Sequence, residues 1–84
     1  MGKARLLVVE DDHDIGAMLK IYFEAKGFEV DHALNGSDAL DRTRLGMPNL
    51  IILDIMLPDI DGYEVCRILR THTRTSHIPV IFLT

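Results

Sequence analysis

The sequence predicts an α/β fold, a parallel sheet threaded in the order β-α-β-α-β-α-β. Apolar, β-rich runs too short for helices recur at Arg5 to Glu10, Leu50 to Leu53 and Ile78 to Thr84. Segments with helical spacing or helix punctuation separate them. Leu50-Ile-Ile-Leu53 is apolar on both faces, as a central parallel strand covered on each side must be. Such alternation implies one parallel sheet with right-handed crossovers.

The elements follow in order. Arg5 to Glu10 is the first strand. Asp12 to Gly27 then places Ile15, Met18, Leu19, Tyr22 and Phe23 at i, i+3, i+4, i+7 and i+8, one face of a helix. Asp12 or Asp14 is its candidate N-cap, and Gly27 the residue just past its end. Phe28 to Ala33 alternates apolar and polar, like an edge strand. Asn35-Gly-Ser-Asp38 is a turn and cap before a second helix, about Ser37 to Leu45, which Gly46 and Pro48 end. Leu50 to Leu53 is the third strand. A third helix follows Gly62, with Val65, Cys66, Ile68 and Leu69 inward. Thr71 to Ser76 is polar and reads as loop. Ile78 to Thr84 is the last strand, with Pro79 tolerated near its start. Its continuous run Val80-Ile-Phe-Leu83 is what a strand buried on both faces needs.

Eighty-four residues allow one small domain. A hydrophobic content of 48% excludes a disordered chain. The net charge of −4, from 13 acidic and 9 basic residues, disfavours nonspecific binding to nucleic acid or an anionic membrane. No basic stripe or nucleic-acid motif is present. The single cysteine, Cys66, excludes an internal disulfide, fits a reducing cytoplasm and reads as a small core residue. No apolar stretch is long enough to span a bilayer, and the start Met1-Gly-Lys-Ala-Arg5 lacks a signal-peptide pattern. His13, His32, His72 and His77 lack the spacing of a zinc site.

The chemistry lies at the strand ends. In an open α/β sheet, ligands bind beyond the carboxyl ends of strands. Glu10 and Asp11 end the first strand, Asp54 the third and Thr84 the fourth. If the first and third strands are neighbours, their carboxylates crowd together and raise one another's pKa. A hard divalent cation relieves this, and Mg²⁺ commonly takes one or two carboxylates plus a phosphate. An Asp in such a position can also be a nucleophile that forms an aspartyl phosphate. The metal then offsets charge on the transferring group while positioned donors hold its oxygens, the Thr84 hydroxyl being a candidate. Helix capping and dipole complementarity are the competing reading of Glu10-Asp11-Asp12. One of these residues can cap while its neighbours bind metal.

Leu6-Leu-Val-Val-Glu-Asp-Asp12, Leu53-Asp-Ile-Met-Leu-Pro-Asp-Ile-Asp-Gly62 and Pro79-Val-Ile-Phe-Leu-Thr84 together resemble the response-regulator receiver domain of two-component signalling. The spacings of 43 residues from Asp11 to Asp54 and 30 from Asp54 to Thr84 match that family. The resemblance implies a flavodoxin-like receiver fold in which residues 1–84 form a single truncated domain, lacking the last helix-strand-helix portion. It implies that Asp54 is the phosphoacceptor, charged by a sensor histidine kinase or phosphotransfer protein. Asp11, Asp54 and the Met56 backbone carbonyl would bind Mg²⁺, with Glu10 acting mainly through a water. Thr84 would hydrogen-bond a phosphoryl oxygen, and Pro58 and Gly62 would shape the loop after Asp54. Such a module is a cytoplasmic regulatory domain rather than an enzyme, limited at most to its own phosphoryl transfer and dephosphorylation. The family's Lys at the end of a fifth strand has no counterpart here, so phosphorylation is expected to be impaired.

Two other function classes stand beside this one. An aspartyl-phosphate phosphatase of the dehalogenase type also places an Asp after a strand, but commonly has a second Asp two residues later, where this chain has Met56. A structural fragment with a vestigial acidic pocket is the other. With the later elements of the resembled fold lacking, the fourth strand is expected to be exposed and the chain to self-associate by edge pairing or strand exchange.

Overall fold

The computed structural model describes residues 2–83. The elements are β1 (Arg5–Val9), α1 (His13–Ala25), β2 (Glu29–Ala33), α2 (Gly36–Gly46), β3 (Leu50–Asp54), α3 (Gly62–Thr71) and β4 (Val80–Leu83). All three strand pairings are parallel, and the sheet order is β2-β1-β3-β4. The α/β class and element order are those expected, and β1 and β3 are neighbours.

Alternation along the strands builds a core on each side of the sheet. Leu6 and Val8 point one way, joining Val30 and Ile52, with Leu19 and Phe23 of α1 packed over them. Leu7 and Val9 point the other way, joining Ala33, Ile51 and Leu53 beneath Ala39 of α2 and Val65 and Leu69 of α3. β1 is thus buried on both faces, and each such Val or Leu contributes about 1.5–3 kcal/mol on leaving water. Asp12, Asn35 and Asp61 cap the three helices, their side chains accepting from the backbone N–H groups of Asp14 and Ile15, of Asp38, and of Glu64. Gly27 follows α1 with φ of 98°, the left-handed conformation its place past a helix end requires.

Three features refine this picture. On the apolar face of α1, Leu19 and Phe23 pack against the sheet, while Ile15, Met18 and Tyr22 are exposed. The stripe that meets the sheet runs through Gly16, Leu19 and Phe23, and Ile15, Met18 and Tyr22 lie one row further round. The fourth strand is exposed, as expected. It pairs with β3 alone among the described residues, and Ile81 is 53% exposed. Thirdly, α2 extends to Gly46 and is closed by Met47, a non-glycine residue with φ of 46° whose N–H donates to the Thr43 carbonyl at 2.9 Å. Packing of the Met47 side chain against the core supports that conformation. Thr84 lies outside the described residues.

Candidate functional site

The pairing of Val9 with Leu53 sets the next residues of β1 and β3, Glu10 and Asp54, side by side at the carboxyl edge of the sheet. Asp11 follows in the loop to α1. One carboxylate oxygen from each of Glu10, Asp11 and Asp54 lies within 4.8 Å of the others. The three differ in solvation: Glu10 is buried at 7% exposure, Asp54 is half-buried and Asp11 is exposed. Burial pushes the Glu10 carboxyl above its ordinary value. The Asp12 N–H opposes that shift, and the negative charges of Asp54 and Asp11 add to it.

Backbone contacts hold the cluster in place. The Glu10 N–H donates to the Ala33 carbonyl of β2 at 3.0 Å, and the Glu10 carbonyl lies 2.8 Å from His32 Nε2. Asp54 Oδ1 accepts from the Met56 N–H at 3.1 Å. The loop after Asp54 folds back so that the Gly62 N–H reaches the Ile55 carbonyl at 2.7 Å. A Cβ on Gly62 would lie 2.5 Å from the Asp54 carbonyl oxygen and 2.9 Å from Ile55 Cα, so only glycine fits this approach. Asp59 in the same loop reaches across to α2, where its two carboxylate oxygens accept from the N–H groups of Gly36 and Ser37, each at 2.8 Å. Its partial desolvation works against ionisation. The donors of Gly36, Ser37, Ile60 and Asp59 itself outweigh that, so its carboxyl titrates below the ordinary value.

Glu10, Asp11 and Asp54, expected to converge, do so. Met56 sits beside them through its N–H, with its side chain exposed to solvent. Asp12 does not join: its Oδ1 is occupied by the first N–H groups of α1, at 2.9 and 3.0 Å. Capping and clustering are therefore divided between adjacent residues. Thr84, expected to join the cluster, lies outside the described residues. His32 and Asp59 were not singled out from the sequence. Both act on backbone groups more than twenty positions away in the chain, a relation that no local pattern encodes.

The donor set is three carboxylates with no Cys or His among the grouped ligands. That chemistry fits a hard cation such as Mg²⁺ rather than zinc or copper. Among the described residues, no helix is long and apolar enough to cross a membrane.

Comparison with known proteins is consistent across sequence and structure. A family model for the response regulator receiver domain matches residues 6–84. The phosphate regulon transcriptional regulatory protein PhoB of Rhizobium meliloti is 44% identical over 80 residues, which cover 95% of this chain and 35% of that protein. The transcriptional regulatory protein AfsQ1 of Streptomyces coelicolor is 46% identical over 79 residues, covering 94% and 34%. The chain thus spans about a third of the length of these curated relatives. Among solved structures, the N-terminal domain of a response regulator receiver protein from Methanoculleus marisnigri superposes with a TM-score of 0.92 at 32% identity, over 95% of this chain and 65% of that one. The signal receiver domain of a histidine kinase from Syntrophus aciditrophicus gives 0.92 at 38% identity, over 96% and 61%.

Proposed function

The chain belongs to the response regulator receiver domain family, and on that premise we propose that Asp54 accepts a phosphoryl group from a phosphohistidine of a sensor histidine kinase or phosphotransfer protein. The observation that carries this reading is the convergence of Asp54 with Glu10 and Asp11 within 4.8 Å. Asp54 is half-buried, open enough for a donor to approach and held by the Met56 N–H. Its free carboxylate oxygen attacks phosphorus. The O–P bond forms as the N–P bond of the donor breaks, and the leaving imidazole nitrogen keeps the electron pair. Asp11, Asp54 and the Met56 carbonyl would hold Mg²⁺, with Glu10 acting mainly through a water. The bound ion supplies charge neutralisation for the transferring phosphoryl oxygens. Thr84, next after β4, is the proposed donor to one of those oxygens.

The role is regulatory rather than enzymatic, and a cytoplasmic location is proposed with it. Residues 1–84 are taken as one domain, a reading supported by the continuous core from β1 to β4. The exposed Ile81 on β4 supports association between copies along that strand. Sedimentation showing only monomer across concentrations would remove that part.

A small phosphodonor with Mg²⁺ tests the main reading. The expected product is a single hydroxylamine-labile adduct at Asp54, absent in Asp54→Asn. Multiple turnover of phosphoesters would instead support a phosphatase. No adduct and no Mg²⁺ binding would leave a structural fragment.

A further inference from the structure

We propose that His32 is a positioning residue for the acidic pocket, fixing the peptide that links Glu10 to Asp11. His32 is the penultimate residue of β2, paired in register with Val8. Its Nε2 lies 2.8 Å from the Glu10 carbonyl oxygen. A carbonyl only accepts, so Nε2 carries the proton and donates. That carbonyl belongs to the peptide joining Glu10 to Asp11. The other side of Glu10 is held as well, its N–H donating to the Ala33 carbonyl at 3.0 Å. Adjacent residues of β2 therefore grip the backbone on both sides of Glu10, at the point where two of the three clustered carboxylates leave the chain.

A second observation points the same way. Gly16 lies inside α1, where glycine is disfavoured relative to alanine. A Cβ there would fall 1.9 Å from His32 Cε1, 2.1 Å from Nε2 and 2.7 Å from Nδ1. The imidazole occupies the space that the missing side chain leaves, wedged between helix and strand. Gly16 and His32 form one device: the glycine admits the ring, and the ring reaches the loop. With the Glu10–Asp11 peptide free to rotate, both carboxylates would sample orientations that no longer converge with Asp54. Partners that orient metal-binding groups are worth about 10–100-fold in metal affinity.

The inference rests on the Mg²⁺ reading of the cluster, and the test separates the two. Mg²⁺ affinity is measured by direct titration of the whole chain, beside stability to denaturant in chelator. The variants are His32→Leu, His32→Gln and Gly16→Ala. The expected result is a loss of Mg²⁺ affinity of about tenfold in His32→Leu and in Gly16→Ala. His32→Gln, whose amide N–H can donate to the same carbonyl, retains most of the affinity. A purely structural histidine would lower stability in chelator and leave Mg²⁺ affinity unchanged, and that result overturns the proposal. Equal losses in His32→Gln and His32→Leu would overturn it too. Should His32→Leu fail to fold, Gly16→Ala decides alone, since it displaces the ring without removing it. If the unaltered chain binds no Mg²⁺, the metal reading itself fails and this inference with it.

Discussion

Replacing Glu10 by Gln should stabilise the metal-free protein, by an amount that follows from the geometry. Glu10 takes part in two of the three carboxylate pairs of the cluster. At the 4.8 Å limit of those separations, one pair of unit charges repels by about 0.9 kcal/mol in a water-like medium and by about 3.5 kcal/mol at an effective dielectric of about 20. Asp11 is exposed and Asp54 half-buried but Glu10 is buried, so the lower value is a floor, and two pairs give about 2 kcal/mol at the least. In a domain of this size that corresponds to a rise in Tm of about 8–16 °C. Gln keeps the carbonyl oxygen with which Glu10 Oε1 accepts from the Asp12 N–H, so the loop contact survives.

The pH dependence gives the sign. Burial first, and the charges of Asp54 and Asp11 after it, lift the Glu10 carboxyl above its ordinary value in the folded state. The folded protein then holds that proton more tightly than the unfolded chain does, so Glu10 costs nothing below the unfolded value. Its destabilisation grows in as pH climbs through the folded value. The gain from Glu10→Gln should therefore be near zero at pH 4 and largest at neutral pH, read by thermal melts in chelator. Because the charges lie closer than the screening length of about 10 Å at 0.1 M salt, the gain should persist there and shrink near 1 M. Saturating Mg²⁺ should narrow the difference, since it stabilises the unaltered chain by mass action and the variant less. A variant no more stable than the original at pH 7, or a gain independent of pH, would refute an unfavourably ionised Glu10 as the state of the pocket.

Three other outcomes are expected. Gly62→Ala forces a Cβ to 2.5 Å from the Asp54 carbonyl oxygen, so it should destabilise the fold by about 2 kcal/mol or more and lower the yield of adduct at Asp54. Asp59→Ala removes the carboxylate that receives the first N–H groups of α2, and should cost about 0.5–2 kcal/mol at neutral pH in a denaturant titration. Because the Asp59 carboxyl is held below its ordinary value, that contribution is present above the unfolded pKa and lost as pH falls through the folded one, so the deficit of Asp59→Ala should fade in acid. Thr75→Val removes a buried hydroxyl that donates to the Leu69 carbonyl at 2.7 Å, and should cost about 1 kcal/mol, visible as a lower denaturation midpoint with no change in Mg²⁺ affinity.

Much of this arrangement is legible in the chain. Strand periodicity and the two-faced apolar run at Leu50 to Leu53 locate the sheet, and carboxylates at strand ends locate the pocket. These signals are local: a run, a spacing, a cap. What the sequence conceals is which distant backbone group a side chain will reach. His32 looks like one of four scattered histidines, and Asp59 like one of two acids in a loop. Their partners, the Glu10 carbonyl and the N-terminus of α2, become neighbours only when the sheet forms. Periodicity marks the apolar face of α1 but not how much of it the sheet covers: Leu19 and Phe23 pack, while Ile15, Met18 and Tyr22 stay exposed. The exposure of Val80 to Leu83 is expected from the resemblance rather than from the run itself. A continuous apolar run suits a central strand, whereas here its strand has a neighbour on one side among the described residues.

The pocket's charge repulsion persists because the structure leaves little freedom to relieve it. Val8, Val9 and Leu53, which lead into Glu10 and Asp54, are fully buried, so neither strand tip can retreat without opening the core. The Glu10 backbone is tied to β2 on both sides, and the loop after Asp54 is tied at Gly62 to Ile55 and at Asp59 to α2. Rearrangement would break buried packing and several backbone hydrogen bonds, each worth about 0.5–1.5 kcal/mol net, against a repulsion of only a few kcal/mol. The less costly relief is neutralisation, either by a proton on Glu10, whose carboxyl already titrates high, or by a cation. A rigid apolar sheet thus keeps three like charges together. A ligand bearing positive charge then meets donors already in place, without an ordering cost at binding.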